Sequence, residues 1–424
     1  MMRQKECDMI KSFLPISSDS HFPIQNLPYG VFRTTKRSPR IGVAIGDYIF
    51  DLKEAESGGL LNDIDGLVEG VFQGQTLNVF MGLGPAVWSA VRGRLQGLLG
   101  EESVLAGDEE LRSKLLVSMS VATMLNPVSI GDYTDFYSSM EHAINVGTMY
   151  RGRENALQPN WKHLPVGYHG RSSSIFAGNG NIRRPKGQVL LDGTPTYVAT
   201  GKLDFELETA FFIGVGNRIG DQIDITRAED YVFGMVLMND WSARDIQKWE
   251  YIPLGPFLGK SFYTSISPWV VTMEALKDFK VSPPTQDPQP LPYLQDPSPV
   301  TYDIQLEVQL RPSGYQQFKS ICRTNQKFLY WTMAQQLTHH TSNGCNLRTG
   351  DLLGSGTISG PSPSSLGCLL ELTEDGNKTI QFENGVSRTY LEDGDTVRLT
   401  GFAQGDGYKV GFGDLINSIE PADL

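Results

Sequence analysis

Two glutamates stand two positions apart in the run Leu203-Asp-Phe-Glu-Leu-Glu-Thr-Ala-Phe-Phe212, at Glu206 and Glu208, among residues that belong in a core. Side chains alternate along a strand, so both emerge on one face. The apolar run Gly234-Met-Val-Leu-Met-Asn-Asp240 ends in another carboxylate. Burying unpaired carboxylates costs too much, so three of them on hydrophobic strands imply a hard divalent cation. An Arg or Lys partner for each is the alternative. Asp135 would be a fourth, in Asp135-Phe-Tyr137-Ser-Ser-Met-Glu-His142. If Ser138 or Ser139 caps a helix there, His142 falls on its first turns, and Asp135 and Tyr137 can face the same cavity. A histidine such as His142, taken alone, is more often a surface or capped residue, but Arg151, His163, Tyr168, His169 and Arg171 follow it closely.

Past Asp240 the pattern is helical and places Arg244, Gln247 and Tyr251 at i, i+3 and i+7 on one face. Such donors suit carboxylate or carbonyl oxygens; a solvated helix face is the plain alternative. Lys260, on a glycine-bounded loop, is fit to stabilise a developing negative charge, or is simply solvated. Ser355-Gly-Thr357-Ile-Ser-Gly360 is a small polar loop. Glu371 lies between leucines in an expected strand, where it either faces solvent or, if buried, orients a histidine acting as general base. His339 and His340 point about 100° apart on a helix and do not easily share a metal, so zinc chemistry is not indicated.

The elements that must position these groups read mainly as β structure. A chain of 424 residues, 40% hydrophobic and 20% charged, suggests a soluble protein of two domains. A formal net charge of -12 argues against a nucleic-acid surface and for small-molecule or protein partners. Cys7, Cys322, Cys345 and Cys368 are scattered without a C-x-x-C pair, which fits a reducing interior. The first ten residues lack the apolar segment of a secretory signal, and no apolar span of about twenty residues occurs, so a cytosolic protein with no membrane partner is expected. Asn377-Lys-Thr379 is then an inert glycosylation acceptor.

Short β runs around Gly30 and from Pro39 to Asp51, with a turn at Gly46-Asp47, precede a helix opened by Pro85 and running to Leu99. This part reads as a small barrel-like domain, 1-127, that supports the chemistry, with a seam at Pro127 to Asp132 and a second domain at 128-424. Gly214-Val-Gly216-Asn-Arg-Ile-Gly220 misses the dinucleotide fingerprint by one residue and reads as a turn. The proline-rich stretch Ser282 to Tyr293 is a surface excursion. Thr301 to Leu310 alternates as a strand, Asn325 to His340 reads as a helix, and Glu374-Asp-Gly-Asn, Glu392-Asp-Gly-Asp and Gly405-Asp-Gly as hairpins.

Assembled, these segments resemble the fumarylacetoacetate hydrolase family over nearly the whole length, from Asn26-Leu-Pro-Tyr-Gly-Val-Phe32 to Gly405-Asp-Gly-Tyr-Lys-Val-Gly-Phe-Gly413. The sharpest matches are Gly131-Asp-Tyr-Thr-Asp-Phe-Tyr-Ser-Ser139, Leu164-Pro-Val-Gly-Tyr-His-Gly-Arg171, the run from Met238 to Tyr251, and Pro253-Leu-Gly-Pro-Phe-Leu-Gly-Lys-Ser-Phe262. The resemblance implies a mainly β (α+β) fold: an N-terminal SH3-like β-barrel, then a C-terminal mixed β-sandwich roll, in a homodimer. It implies calcium on Asp135, Glu206, Glu208 and Asp240, and His142 as general base oriented by Glu371. Substrate contacts would be Tyr137, Arg151, Tyr168, Gln247, Tyr251 and Thr357, and the oxyanion set Arg244, Gln247 and Lys260.

A second, structural magnesium site would use Asp240, Lys260 and Thr264 with the backbone of the residue before Thr264. Tyr263 stands there where the family leads one to expect glycine, and a left-handed backbone would make that costly. The implied reaction is hydrolysis of the carbon-carbon bond of 4-fumarylacetoacetate to fumarate and acetoacetate, the last step of tyrosine and phenylalanine catabolism. A related metal-dependent diketo-acid hydrolase, decarboxylase or tautomerase is the nearest rival, and a metal-stiffened binding module the rival from another class.

Overall fold

The computed structural model describes residues 10–423, so Cys7 lies outside the described residues. Tyr29–Arg33 pairs with Arg40–Ile45, which turns at Gly46-Asp47 into Tyr48–Asp51. Gly46 takes a φ of +54°, where a side chain would be strained. Leu116–Ser118 and Thr123–Leu125 complete this five-stranded antiparallel sheet. The helix Pro85–Leu99 has its proline in the first turn, where the missing N–H costs nothing, and buries Val87, Val91, Leu95 and Leu98 along one stripe.

Beyond Asp132 two further sheets stack. An eight-stranded mixed sheet runs in the order Gly167–Gly170, Tyr133–Phe136, Leu352–Gly354, Leu207–Ile213, Val232–Asp240, Thr264–Ile266, Ile175–Ala177, with Val271–Thr272 also paired to Val232–Asp240. The other has five strands, Lys319–Asn325, Gln305–Arg311, Thr396–Gln404, Lys409–Glu420 and Gly180–Arg183. Alternation decides what each face of the large sheet covers. Leu207, Phe211, Ile213 and Leu237 share a core with Leu306, Val308, Leu399 and Leu415 of the five-stranded sheet. Ala210, Phe212, Phe233 and Met238 face the other way and share a core with Val31, Ile45, Phe80 and Leu95. The large sheet is thus buried on both faces, which explains its near-continuous apolar strands.

Several local expectations are corrected. The run from Leu203 to Phe212 is not one strand: Leu203–Asp204 pairs with Ser242–Ala243, Leu207–Ile213 pairs with Val232–Asp240, and Phe205 and Glu206 lie between. Glu371 sits on a short helix, Leu369–Leu372, because the Asp204 carboxylate accepts the N–H groups of Leu369 and Leu370 at 2.7 and 2.9 Å. Glu374 and Asp375, both left-handed, end that helix and make no hairpin. A strand runs up to Asn325, and the helix expected from there begins only at Met333, where Thr332 and Gln335 form a capping box. The Thr301 to Leu310 strand breaks at Asp303-Ile304. Gly405-Asp-Gly does join two antiparallel strands. The proline-rich stretch carries one short 3-10 turn, Pro292–Leu294, and buries Leu294 beside Trp161, Tyr330 and Trp331.

Candidate active site

Three strands of the large sheet, two of them separated by Leu352–Gly354, each bring one carboxylate to the same place. In the ladder, Asp135 lies opposite Gly354, Gly354 opposite Ala210, and Glu208 opposite Met238, two residues before Asp240. Oxygens of Asp135, Glu208 and Asp240 lie within 4.8 Å of one another, and all three residues are buried. Each keeps one oxygen without a hydrogen-bond partner: Asp135 Oδ1, Glu208 Oε1 and Asp240 Oδ1. Burial, then the neighbouring carboxylates, pushes the Asp135 and Glu208 carboxyls well above the usual range, and Asp240 shifts the same way. Orphaned buried oxygens of one sign at this spacing are a donor set for a hard divalent ion, which would offset their repulsion.

Gly354 forms the floor of this cage. A Cβ there would stand 2.5 Å from Met238 Cε, 2.7 Å from Asp135 Oδ1 and 3.3 Å from Glu208 Oε2. Beside it, Gly356 adopts a φ of +77° and donates its N–H to Glu208 Oε2 at 3.0 Å. The expected result for Gly354→Ala is a folded protein whose divalent-ion affinity, measured by calorimetric titration, drops about 10- to 100-fold, the range seen when groups supporting metal ligands are altered.

Glu206 does not join the other three. With the strand broken before Leu207, its carboxylate lies against Arg244 Nη1 at 2.7 Å and the Lys260 ammonium. These cations outweigh burial and hold Glu206 well below the usual carboxylate range. Lys260 also donates to Asp240 Oδ2 at 2.6 Å, and Tyr168 Oη to the same oxygen at 3.1 Å. Burial pulls the Lys260 ammonium down, but Asp240 and Glu206 outweigh it and keep it protonated. A charged ammonium has no lone pair for a metal.

The second, magnesium site therefore has a poor donor set. Asp240 is shared with the first cage, and Lys260 brings positive charge. Thr264 does line a cavity with Asp240 and Lys260. The backbone strain feared at Tyr263 does not arise, because its φ is not left-handed and its ring stacks on Phe176 with centroids 4.9 Å apart.

His142 follows the capping expectation. Ser139 caps the helix Met140–Arg151, its Oγ accepting the His142 N–H at 3.2 Å. The His142 Nδ1 lies 2.6 Å from Glu371 Oε2, and both side chains are buried. Burial pushes Glu371 up, yet His142, Asn145 and Ser359 outweigh it, so the carboxyl is held low and ionised. A carboxylate only accepts, so in the neutral imidazole Nδ1 carries the proton and Nε2 keeps its lone pair. That is the tautomer a general base needs. Tyr137 packs edge-on to His142 with ring centroids 5.2 Å apart.

A cavity of about 450 Å³ connects these parts, lined by Asp135, Tyr137, His142, Arg151, Tyr168, Glu206, Arg244, Gln247, Tyr251, Lys260 and Thr357. Every substrate-contact residue expected from the sequence lines it. The helix Arg244–Glu250 presents Arg244 and Gln247 as the 3.6-residue period requires, and Arg244 leaves one buried nitrogen, Nη2, without a partner. An adjoining cavity of about 490 Å³ takes His169, Arg171 and Thr264 and shares Tyr168 and Lys260, while His163 lines neither. His339 and His340 go elsewhere, to Tyr293 and Thr134. Sequence reasoning missed Gly354 and Asn145, and it named Gly356 and Ser359 only as members of a polar loop, without a role. Asn145, three positions beyond His142 on one helix face, had a readable signal.

The fold and this arrangement define a class, a mixed β-roll that sets a carboxylate cluster able to hold a divalent ion beside a buried His-Glu pair. The pattern described as Fumarylacetoacetate (FAA) hydrolase C-terminal matches residues 133–420, and that described as Fumarylacetoacetase N-terminal matches 25–127. The chain belongs to the fumarylacetoacetate hydrolase family. It is 57% identical to the fumarylacetoacetase of Bos taurus over 418 residues, covering 97% of this chain and 99% of the relative. With that of Arabidopsis thaliana it shares 53% over 421 residues, 98% and 99% of the two chains. Among solved structures, a fumarylacetoacetate hydrolase from Exiguobacterium antarcticum superposes with a TM-score of 0.52 at 19% identity, over 93% of this chain and 99% of the other. A putative HpcE protein from Mycobacterium smegmatis gives 0.53 at 19% over the same shares. These two likenesses concern the fold alone.

Proposed function

We propose that this chain hydrolyses the carbon-carbon bond of 4-fumarylacetoacetate, giving fumarate and acetoacetate at the end of tyrosine and phenylalanine breakdown. The observation that carries this reading is that Asp135 of the carboxylate cage and His142 of the His-Glu pair open on one cavity, in a chain more than half identical to fumarylacetoacetases along its length. Asp135, Glu208 and Asp240 would hold calcium, whose flexible, oxygen-rich coordination suits a three-carboxylate cage. Glu206 would join them only if Arg244 and Lys260 released one of its oxygens, and a second ion as magnesium would have to share Asp240. When bound, the ion would polarise the diketone carbonyl and stabilise the enolate that leaves.

The remaining steps belong to the chain. His142 Nε2 takes a proton from water as its oxygen adds to the ketone carbon of the fumaryl group, the one bonded to its CH=CH, and Glu371 stabilises the imidazolium. The free Arg244 Nη2, with Gln247 and Lys260, faces the tetrahedral oxyanion. The bond from that carbon to the adjacent CH₂ then breaks, fumarate departs as the carboxylate, and the enolate carbon is reprotonated to acetoacetate. One proton is released overall. Arg151 orients a substrate carboxylate; Tyr137, Tyr168, Tyr251 and Thr357 complete the pocket.

Purified protein with calcium should consume fumarylacetoacetate and release fumarate in equal amounts. Carbon dioxide without fumarate would point to a decarboxylase, an isomerised diketo acid to a tautomerase, and metal binding with no turnover on any diketo acid to a binding module. Exposed Leu190, Leu191, Tyr197, Leu254 and Phe257 support a homodimer. Free thiols at Cys322, Cys345 and Cys368 support the cytosol. The division at residues 127 and 128, with the first part as a supporting barrel, is part of the same reading. Among the described residues no helix is long and apolar enough to cross a membrane.

A further inference from the structure

His142 and Glu371 lie 229 positions apart in sequence, on two separate helices, one of only four residues. The backbones of the two helices do not by themselves set their 2.6 Å contact. We propose that Ser359 is the positioning residue that sets this pair, with Asn145 holding the other oxygen of the same carboxylate; this rests on His142 being the base. Ser359 is fully buried in the irregular segment that follows the strand Leu352–Gly354. Its hydroxyl accepts the Gly367 N–H at 2.9 Å, and its own proton goes to Glu371 Oε2 at 2.7 Å. Its carbonyl accepts from Ser139 Oγ at 3.1 Å, and Ser139 is the residue that caps the helix of His142. One residue therefore grips the Glu371 carboxylate with its side chain and the His142 helix with its backbone.

The other carboxylate oxygen, Oε1, takes Asn145 Nδ2 at 2.8 Å. Both oxygens are thereby immobilised, and the carboxylate plane is fixed toward Nδ1. The same segment reaches the ion cage, since Gly356 N–H holds Glu208 and Ser355 O holds the Ser138 N–H at 3.1 Å. Ion cage and base are thus registered to each other by one stretch of backbone. Without the Ser359 hydroxyl the carboxylate turns more freely and imposes the Nδ1–H tautomer less strictly.

The test is a double-mutant cycle on the calcium-loaded enzyme. Ser359→Ala should lower kcat about 10- to 100-fold, with KM and calcium affinity held within about two-fold. In a Glu371→Gln background the same substitution should cost less than about two-fold, because its effect runs through that carboxylate. Unchanged kcat in Ser359→Ala, or an equal loss in both backgrounds, overturns the proposal. If Ser359→Ala does not fold, Asn145→Ala, at a half-buried position, decides by the same cycle with the same two outcomes. Full activity in Glu371→Gln alone would instead remove Glu371 as the orienter of His142, and this proposal with it, while leaving His142 as the base.

Discussion

His142→Ala is expected to lower kcat about a thousand-fold while leaving divalent-ion binding and the fold intact. Positioned proton transfer contributes roughly 10²- to 10⁴-fold, and the structure gives reason to expect the middle of that range. Glu371 is ionised and fully engaged, so His142 is held in the tautomer that leaves Nε2 free. The cage does not use His142: the three clustered oxygens belong to Asp135, Glu208 and Asp240. Steady-state kinetics and calorimetric calcium titration on the same preparation separate the two roles. A variant that keeps most of its rate with the ion saturated would show that water is activated elsewhere. Loss of the ion together with the rate would place His142 in the cage.

The second large effect is removal of the ion. Chelation should abolish turnover and lower the melting temperature, and the gap between loaded and chelated protein should widen as pH rises above the ordinary carboxylate range. The sign follows from the carboxyls. With no ion bound, burial and then neighbouring carboxylates raise Asp135 and Glu208 above their unfolded values, and burial raises Asp240 against the pull of Lys260. Groups shifted upward contribute their stability fully below the unfolded pKa and lose it as pH climbs through the folded one. The metal-free fold therefore weakens with rising pH, whereas the bound ion, which competes with protons for the same oxygens, stabilises more.

At an ion concentration a hundred times Kd the gain is about 3 kcal/mol, a shift of several degrees in a chain of this size. Glu208→Gln keeps the shape, removes one charge, and should weaken the ion about 100-fold while raising the melting temperature of the chelated protein. A gap that narrows with pH, or a chelated protein as active as the loaded one, would contradict the cage.

Much of this was readable in the linear chain because it depends on local rules. The apolar residues around Glu206 and Glu208 and the apolar run to Asp240 announced core strands, and carboxylates on such strands had to be compensated. The serine before His142 announced a helix cap, and the spacing of Arg244 and Gln247 announced a helical face. Each is a matter of periodicity or of a side chain satisfying its own backbone, within reach of neighbours in sequence.

What only the tertiary structure decided is which charge meets which. Glu206 and Glu208 looked equivalent, yet a break of two residues between Asp204 and Leu207 turns one toward Arg244 and Lys260 and leaves the other facing Asp135 and Asp240. Glu371 looked like a strand residue until Asp204, far off in sequence, capped a helix around it. The importance of Gly354 is the side chain it lacks, which matters only once three strands lie side by side. Residue type sets what a group can bind over a few positions. Partners brought together from distant segments are fixed by sheet register and packing, and no local pattern records them.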